Sequence, residues 1–302
     1  MCWLLAERPT LSDVRDLTTY RVGRRSRRVS AVARVRSESG SVALDELTWP
    51  AFAEAMESGV PIMMPIGSIE QHGPHLPLAT DAIIPHELAK RVAAGQRVLI
   101  APPQYFATYS RPRTGGGRRF PGSVGFPGSV LTSVIAGVLE ELVRDGARRF
   151  VVLNGHLENS TYVYDAVESV LGIDPAGSMG KALLINWWEL VTPEDKEDLF
   201  PREHPAWGGD HASFAETSLM LALRPDLVLM DRAADATPFR PLRIDILPPP
   251  RDAAPENGIL WRATLADLEV GKRLVQLLEA RIGRAIIDEF GLEAAPRPAR
   301  SG

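Results

Sequence analysis

The stretch that decides the fold is residues 60–67, which read VPIMMPIG. It is short, almost wholly apolar and ends at a glycine, as expected for a strand that is buried on both faces. Similar runs recur at residues 97–101, 150–153 and 182–185, and helical spacing of apolar residues marks 83–93, 129–144, 159–171, 213–223 and 265–290. This alternation predicts an α/β fold with a mostly parallel sheet flanked by helices on both faces, where ligands bind beyond the carboxyl ends of the strands.

The composition is that of a soluble globular protein. The chain has 302 residues, 45% of them hydrophobic and 24% charged, with a net charge of -4. A negative net charge gives the whole molecule no electrostatic attraction to nucleic acid or to an anionic membrane. The single cysteine, Cys2, excludes an intramolecular disulfide and a cysteine-based zinc site. We therefore predict a cytoplasmic protein with no nucleic-acid partner and no membrane partner.

The sequence divides into three parts. Residues 1–41 are rich in arginine and serine and show little apolar periodicity, so we predict a flexible N-terminal extension. A nucleic-acid arm or a transit peptide are alternatives, although Glu7, Asp13 and Asp16 disfavour the acid-poor transit composition. A folded domain is predicted at residues 42–291, and residues 292–302 are predicted to be a C-terminal tail.

Acidic and histidine side chains follow the first predicted strand. Glu70 and His72 lie two residues apart, and Asp81 follows nine residues after His72. In extended backbone, residues i and i+2 project to the same side, so Glu70 and His72 can reach one point. This segment is therefore a candidate metal-binding segment.

The same pair recurs in reverse order, as His156 and Glu158, directly after the third predicted strand. If the two strands are close in the sheet, three carboxylates meet in one small volume. Their mutual repulsion would raise pKa values and cost stability unless cations neutralise them. Two divalent ions, with zinc, manganese or iron all compatible with oxygen and imidazole ligands, would do so. The predicted ligands are Glu70, His72, Asp81, His156 and Glu158.

A third cluster, WGGDH at residues 207–211, leads into Glu216. A histidine beside the metals could take a proton from water or give one to a leaving nitrogen, so we predict that His211 is a catalytic acid or base. Glu216 is a candidate for orienting His211 or the water. Trp188 and Trp207 could stack on a planar ligand or could only fill the core, and the pattern leaves both readings open.

These motifs resemble the creatininase (creatinine amidohydrolase) family. The resemblance spans residues 42–291, and it is carried by IGSIEQHGPHLP at 66–77 with Asp81, NGH at 154–156 with ENS at 158–160, and ETSLML at 216–221. It implies that Glu70 and His156 hold one metal, that His72 and Glu158 hold the other, and that Asp81 bridges both. It also implies zinc or manganese as the metal and assembly as a homohexamer.

The resemblance further implies hydrolysis of a small cyclic amide, with creatinine as the leading substrate. Trp188 and Trp207 match tryptophans that flank creatinine in the family, and Thr114 and Asp210 are further candidate substrate-binding residues. Departures from the family pattern are Leu157 in place of an aromatic phenol, Asp210 in place of a glutamate, and Ala212-Ser213 in place of two glycines. The alternatives are a related hydrolase of another amide or formamide, such as a formylaminopyrimidine deformylase or a peptide-processing enzyme, and a non-catalytic metal-stabilised scaffold.

Overall fold

A computed structural model describes residues 42–292. The predicted extension at residues 1–41 and all but the first residue of the predicted tail at 292–302 lie outside the described residues. Within that range the strands are β1 (Ile62–Ile66), β2 (Leu99–Ile100), β3 (Arg149–Asn154) and β4 (Lys181–Asn186). The helices there are α1 (Trp49–Glu57), α2 (Thr80–Gly95), α3 (Pro112–Gly115), α4 (Gly128–Arg144), α5 (Asn159–Leu171), α6 (Pro193–Leu199), α7 (Phe214–Leu223) and α8 (Leu268–Phe290).

The four strands form one parallel sheet in the order β2-β1-β3-β4. This confirms the predicted α/β class and the parallel sheet. The register pairs Ile66 with Asn154 and Asn154 with Asn186. Three neighbouring strands therefore end at the same level, and the segments that follow them emerge side by side.

Each face of the sheet is covered by its own set of helices, as the sequence predicted. Along β1, Met63 packs on one side with residues of α2, α7 and α8. Ile62, Met64 and Ile66 pack on the other side with residues of α1, α4 and α5. Because successive strand residues point to opposite faces, an all-apolar strand such as β1 is what two helical layers require.

Helices α1, α3 and α6 were not predicted from the sequence. They are short, at 9, 4 and 7 residues, so they present few repeats of an apolar period. Each has a proline at its first or second position, which is a start signal that could have located it. Among the described residues, no helix is long and apolar enough to cross a membrane.

Candidate metal centre

Two glycines bring the start of α2 against the ends of β1 and β3. A β-carbon on Gly67 would lie 2.2 Å from the main-chain nitrogen of Ala82, and one on Gly155 would lie 2.0 Å from the main-chain oxygen of Asp81. Only a residue without a side chain allows backbones to approach this closely. The first turn of α2 therefore lies across both strand ends, and it places Asp81 between the two acid and histidine motifs.

The carboxylate of Asp81 is shared by two histidines. Its Oδ1 lies 2.9 Å from Nε2 of His72, and its Oδ2 lies 2.9 Å from Nδ1 of His156. Nδ1 of His156 is also 3.4 Å from Oε1 of Glu70. All four side chains are buried. The structure thus brings together Glu70, His72, Asp81 and His156, as the sequence predicted.

Two groups of side chains that meet at Asp81 could each hold a metal ion. One is Glu70, Asp81 and His156, and the other is His72, Asp81 and Glu216. Within each group the ligand atoms lie within 4.8 Å of one another. A third set, Glu70, His72 and His211, also meets this distance. It draws on residues of both other groups.

Glu158 was predicted as a metal ligand and Glu216 as an orienting residue, and the structure places each of them beside a histidine of the cluster. Glu158 belongs to none of the three groups, while Glu216 stands beside His72, with its Oε2 3.7 Å from the histidine Nε2. Oε1 of Glu158 accepts a hydrogen bond from the main-chain N–H of Arg111 at 3.1 Å and another from the Thr114 hydroxyl. Oε2 of Glu158 lies 3.4 Å from Nε2 of His156, so this carboxylate still faces the centre.

The backbone at Glu158 explains why its carboxylate belongs to none of the three groups. This residue has φ -71° and ψ -13° and occupies the position just before α5, without a capping hydrogen bond from its side chain. The rule that residues i and i+2 share a side holds for extended chain, and here the chain is already turning into a helix. Glu216 reaches the centre from the first turn of α7, where the main-chain N–H of Ala212 donates a hydrogen bond to it at 2.7 Å.

The charges of the cluster fit divalent cations. Burial alone would lower the pKa of His72, but Asp81 and Glu216 outweigh it and raise that pKa to about 10. His156 likewise has its pKa raised well above the usual value, because Glu70 and Asp81 overcome the effect of burial. Burial raises the pKa of Glu216 to about 8. These raised pKa values show that the buried carboxylates favour positive charge beside them, and a bound cation would supply that charge.

Unpartnered atoms indicate where such cations would bind. Oε2 of Glu70 is buried and has no hydrogen-bond partner in the described part of the chain. Nε2 of His72 and Nε2 of His156 are also buried without a well-oriented hydrogen bond, although carboxylate oxygens of Asp81 and Glu158 lie 2.9 and 3.4 Å from them. A buried polar atom without a partner is costly, and coordination to a metal removes the cost. Oxygen and imidazole donors suit zinc, manganese or iron. The residues present therefore fit divalent metal ions.

His211 presents one ring nitrogen to this cluster. Its Nε2 donates to the main-chain oxygen of Gln71 at 2.8 Å, and its Nδ1 lies 3.5 Å from Oε1 of Glu70. The amide of Gln71 cannot supply a proton to that Nε2, since both of its N–H groups are taken by the carbonyls of Gly115 and Gly258 at 3.0 and 2.8 Å. The proton of neutral His211 is therefore on Nε2, and Nδ1 carries a lone pair. Burial, aided by the charge of His72, lowers the pKa of His211 to about 4.

A pocket opens over the cluster. Its walls include all four residues that the sequence predicted to contact substrate, and Leu157 and Trp187 join them: Thr114, Leu157, Trp187, Trp188, Trp207 and Asp210. Trp187 and Trp188 form a 3-10 turn directly after β4. Trp207 is on a second 3-10 turn, Trp207–Gly209. The carboxylate of Asp210, although it lines the pocket, is paired with His204 and with the main-chain N–H of Ala215.

Comparison with known proteins agrees with this geometry. Residues 45–286 match the family model described as "Creatininase: Creatinine amidohydrolase". The chain belongs to the creatininase family. The sequence resemblance is thereby confirmed.

The relatives within the creatininase family differ in activity. The chain is 36% identical over 256 residues to creatinine amidohydrolase of Pseudomonas putida, covering 83% of this chain and 98% of that protein. It is 29% identical over 231 residues to the mycofactocin precursor peptide peptidase of Mycolicibacterium smegmatis, covering 72% of this chain and 81% of that protein. Membership of the family therefore establishes a hydrolase without fixing its substrate.

Solved creatininase structures share the fold. A glutamate-to-glutamine variant of creatininase complexed with creatine superposes with a TM-score of 0.78 at 33% identity, covering 83% of this chain and 100% of that chain. The manganese form of creatininase gives the same TM-score, identity and coverage: 0.78, 33%, 83% and 100%. A Zn-Zn form of the glutamine variant gives 0.78 at 34% identity, covering 83% and 99%. Creatininase thus binds manganese or zinc.

Proposed function

We propose that this protein is a binuclear metal-dependent amidohydrolase that hydrolyses creatinine to creatine. The observation that carries the proposal is the position of Asp81, which is shared by two groups of ligands beneath a pocket walled by three tryptophans. The relative from Pseudomonas putida is a creatinine amidohydrolase. A metal-stabilised scaffold without activity would not need His211 held with a free ring nitrogen beside the cluster.

Two divalent ions, zinc or manganese, would occupy the centre. Glu70, Asp81 and His156 would hold one ion, and His72, Asp81 and Glu216 would hold the other. This assignment gives Glu216 the ligand position that the sequence assigned to Glu158. When bound, the ions would polarise the amide carbonyl and acidify a water molecule.

His211 would move the proton. In the reaction, water adds its oxygen to the ring carbonyl carbon, the bond from that carbon to the ring nitrogen breaks, and the nitrogen gains a hydrogen. The lone pair on Nδ1 of His211 would accept a proton from the water and then deliver it to the departing nitrogen. The hydrogen bond from its Nε2 to the carbonyl of Gln71 fixes the ring for both transfers.

Glu158 would position the reactants. Thr114 and the main chain of Arg111 already hold one of its carboxylate oxygens. The other oxygen faces the centre and would accept a hydrogen from the water or from a substrate N–H. A positioned carboxylate of this kind raises the rate because the reacting atoms meet in one orientation.

The tryptophans would bind the planar ring. Stacking on an indole contributes about 0.5 to 1.5 kcal/mol beyond burial. Trp207 precedes Gly208 and Gly209 on a short turn, and this turn would close over the substrate and exclude water. Asp210 would support that turn, since its carboxylate is paired inside the protein.

A relative that processes a peptide makes another amide the second candidate. Leu157 lines the pocket with 39% of its surface exposed, which leaves an apolar wall that a larger substrate could use. Turnover of creatinine, of a short peptide amide and of a formylated pyrimidine by zinc- or manganese-loaded protein separates the candidates. We expect creatinine turnover that chelation abolishes and metal restores. Absence of creatinine turnover together with hydrolysis of either other substrate would refute creatinine as the substrate.

We also propose that the protein assembles as a homohexamer in the cytoplasm. The support is the resemblance of its motifs to the family, and light scattering on the purified protein tests the assembly. A monomer or dimer at micromolar concentration would contradict it.

A further inference from the structure

His204 lies in an enclosure of aromatic rings behind the pocket. Its ring centroid is 4.6 Å from that of Phe200, 5.4 Å from Trp261, 5.5 Å from Trp207 and 6.2 Å from Phe214. All four contacts are edge-on, and only 4% of the histidine side chain is exposed. Ring edges can pack against an imidazole, but they leave its polar nitrogens without partners.

Asp210 supplies the polar contact for this ring. Its Oδ1 lies 3.1 Å from Nε2 of His204, and the aspartate side chain is 3% exposed. At this separation the N–H of His204 Nε2 can donate to Oδ1 of Asp210, and neither atom has another hydrogen-bond partner within residues 42–292. The other oxygen of Asp210 accepts from the main-chain N–H of Ala215, in the first turn of α7, at 3.0 Å. Burial raises the pKa of Asp210, and His204 opposes that rise.

The same pair is joined to the turn that carries Trp207. The main-chain N–H of Asp210 donates to the oxygen of Trp207 at 3.1 Å and closes the Trp207–Gly209 turn. The indole of Trp207 packs on His204, and the ammonium of Lys196 lies 4.0 Å from its centroid. Gly208 and Gly209 have no side chains to hold this turn, so apart from main-chain hydrogen bonds its conformation depends on Trp207 and Asp210.

We propose that His204 is a positioning residue for substrate binding. Through its contacts with the carboxylate of Asp210 and the ring of Trp207, it holds the Trp207–Gly209 turn in the conformation that places the indole at the pocket. The inference rests on the proposed function for the choice of substrate. A residue that only filled the core would be replaceable by any side chain of equal volume, whereas this role requires a donor to Asp210.

The test compares His204→Phe with His204→Gln in metal-loaded protein. Phenylalanine keeps a ring in the enclosure but donates no hydrogen, while glutamine keeps a donor. Loss of a contact to a charged group is worth about tenfold in the opening equilibrium, so amide hydrogen exchange across residues 205–212 should accelerate about tenfold in His204→Phe. KM for creatinine should rise by at most about tenfold with kcat nearly unchanged, because the binding-competent turn is less populated. His204→Gln should stay close to the wild type in both measurements.

His86→Phe is the matched control, since His86 is a partly buried histidine on α2, away from this enclosure. It should change neither exchange at 205–212 nor KM. Unchanged exchange in His204→Phe, or equal acceleration in His204→Phe and His204→Gln, would overturn the proposal. If His204→Phe does not fold, Asp210→Asn weakens the same contact from the other side, and unchanged exchange in that variant would also overturn it. The exchange measurement does not depend on turnover. If creatinine is not the substrate, the exchange result still tests the role of His204.

Discussion

The ring of His211 is tied to the main-chain oxygen of Gln71, whose carbonyl accepts the Nε2 proton at 2.8 Å. Gln71 lies between Glu70 and His72, so the motif that contributes candidate metal ligands also fixes the tautomer of His211, the residue proposed to move the proton. This hydrogen bond holds His211 in a fixed position relative to the candidate metal ligands. A variant of His211 and a variant of a candidate ligand can nevertheless be tested one at a time.

Replacing His211 by glutamine should reduce kcat for the hydrolysed amide by about 10²- to 10⁴-fold, because the proton acceptor is lost while a donor to Gln71 remains. Steady-state kinetics with metal analysis measures this. The control is His86→Gln, which removes a histidine on α2 and should leave kcat unchanged. Retention of more than about a tenth of the wild-type kcat would exclude His211 as the principal acid and base.

Metal content should distinguish Glu216 from Glu158. Glu216→Gln removes a ligand from the His72 group, so we expect bound metal to fall from two ions per chain to about one. Glu158→Gln should keep two ions and lose activity, because Glu158 lies outside both groups that share Asp81. Metal analysis after equilibrium dialysis measures both variants. The reverse result, with metal lost only from Glu158→Gln, would restore the assignment made from the sequence.

Gly155→Ala should separate α2 from the strand ends. The new β-carbon would lie 2.0 Å from the main-chain oxygen of Asp81, so the helix must move and Asp81 with it. We expect a loss of unfolding free energy of about 3 kcal/mol or more, together with weaker metal binding. Gly137→Ala in α4 is the control, because nothing lies within 4 Å of its β-carbon and alanine favours a helix by about 1 kcal/mol. Denaturant unfolding measures both, and equal stabilities would contradict the prediction.

Ala212→Gly should stabilise the protein. Ala212 has φ +52°, which is unfavourable for a residue with a β-carbon, and the gain should be up to about 1 kcal/mol. The control is Ala280→Gly, since Ala280 is exposed within α8 and glycine there should cost about 1 kcal/mol. The measurement is the free energy of unfolding of each variant relative to the wild type. Destabilisation of similar size in both variants would show that Ala212 is not strained.

Acid should destabilise the protein partly through His75. This side chain is buried and paired with the hydroxyl of Thr217 at 2.9 Å, and burial, with the charge of His72, lowers its pKa to about 4. Because the folded pKa lies below the unfolded value of about 6.5, the neutral ring contributes stability above pH 6.5 that is lost as the pH falls towards 4, by up to about 1.4 kcal/mol per pH unit. The stability difference between wild type and His75→Gln should therefore shrink between pH 7.5 and 5. A constant difference would contradict this origin.

Much of the fold and the meeting of four of the five candidate ligands could be predicted from the sequence, because both depend on local patterns. The apolar run at 60–67 indicated a buried strand, and the acid and histidine pairs followed β1 and β3 directly. Glu216 could not be assigned as a ligand in this way, because its approach depends on how α7 packs against α2. The ligand role predicted for Glu158 stays a prediction: the pair with His156 looks like Glu70 and His72 in sequence, but the backbone at Glu158 is helical.

Strands β1, β3 and β4 end at the same level, but different segments that follow them supply the candidate ligands and the tryptophan walls. The candidate ligands arise from the chain after β1 and β3 and from α2 and α7, whereas the tryptophan walls arise after β4 and on the turn at 207–209. Under the proposed function, mutations in the tryptophan walls should therefore alter which substrate binds without changing the candidate ligands. A scaffold divided in this manner can acquire new substrates by small steps, and libraries confined to the wall segments are the natural place to redirect it.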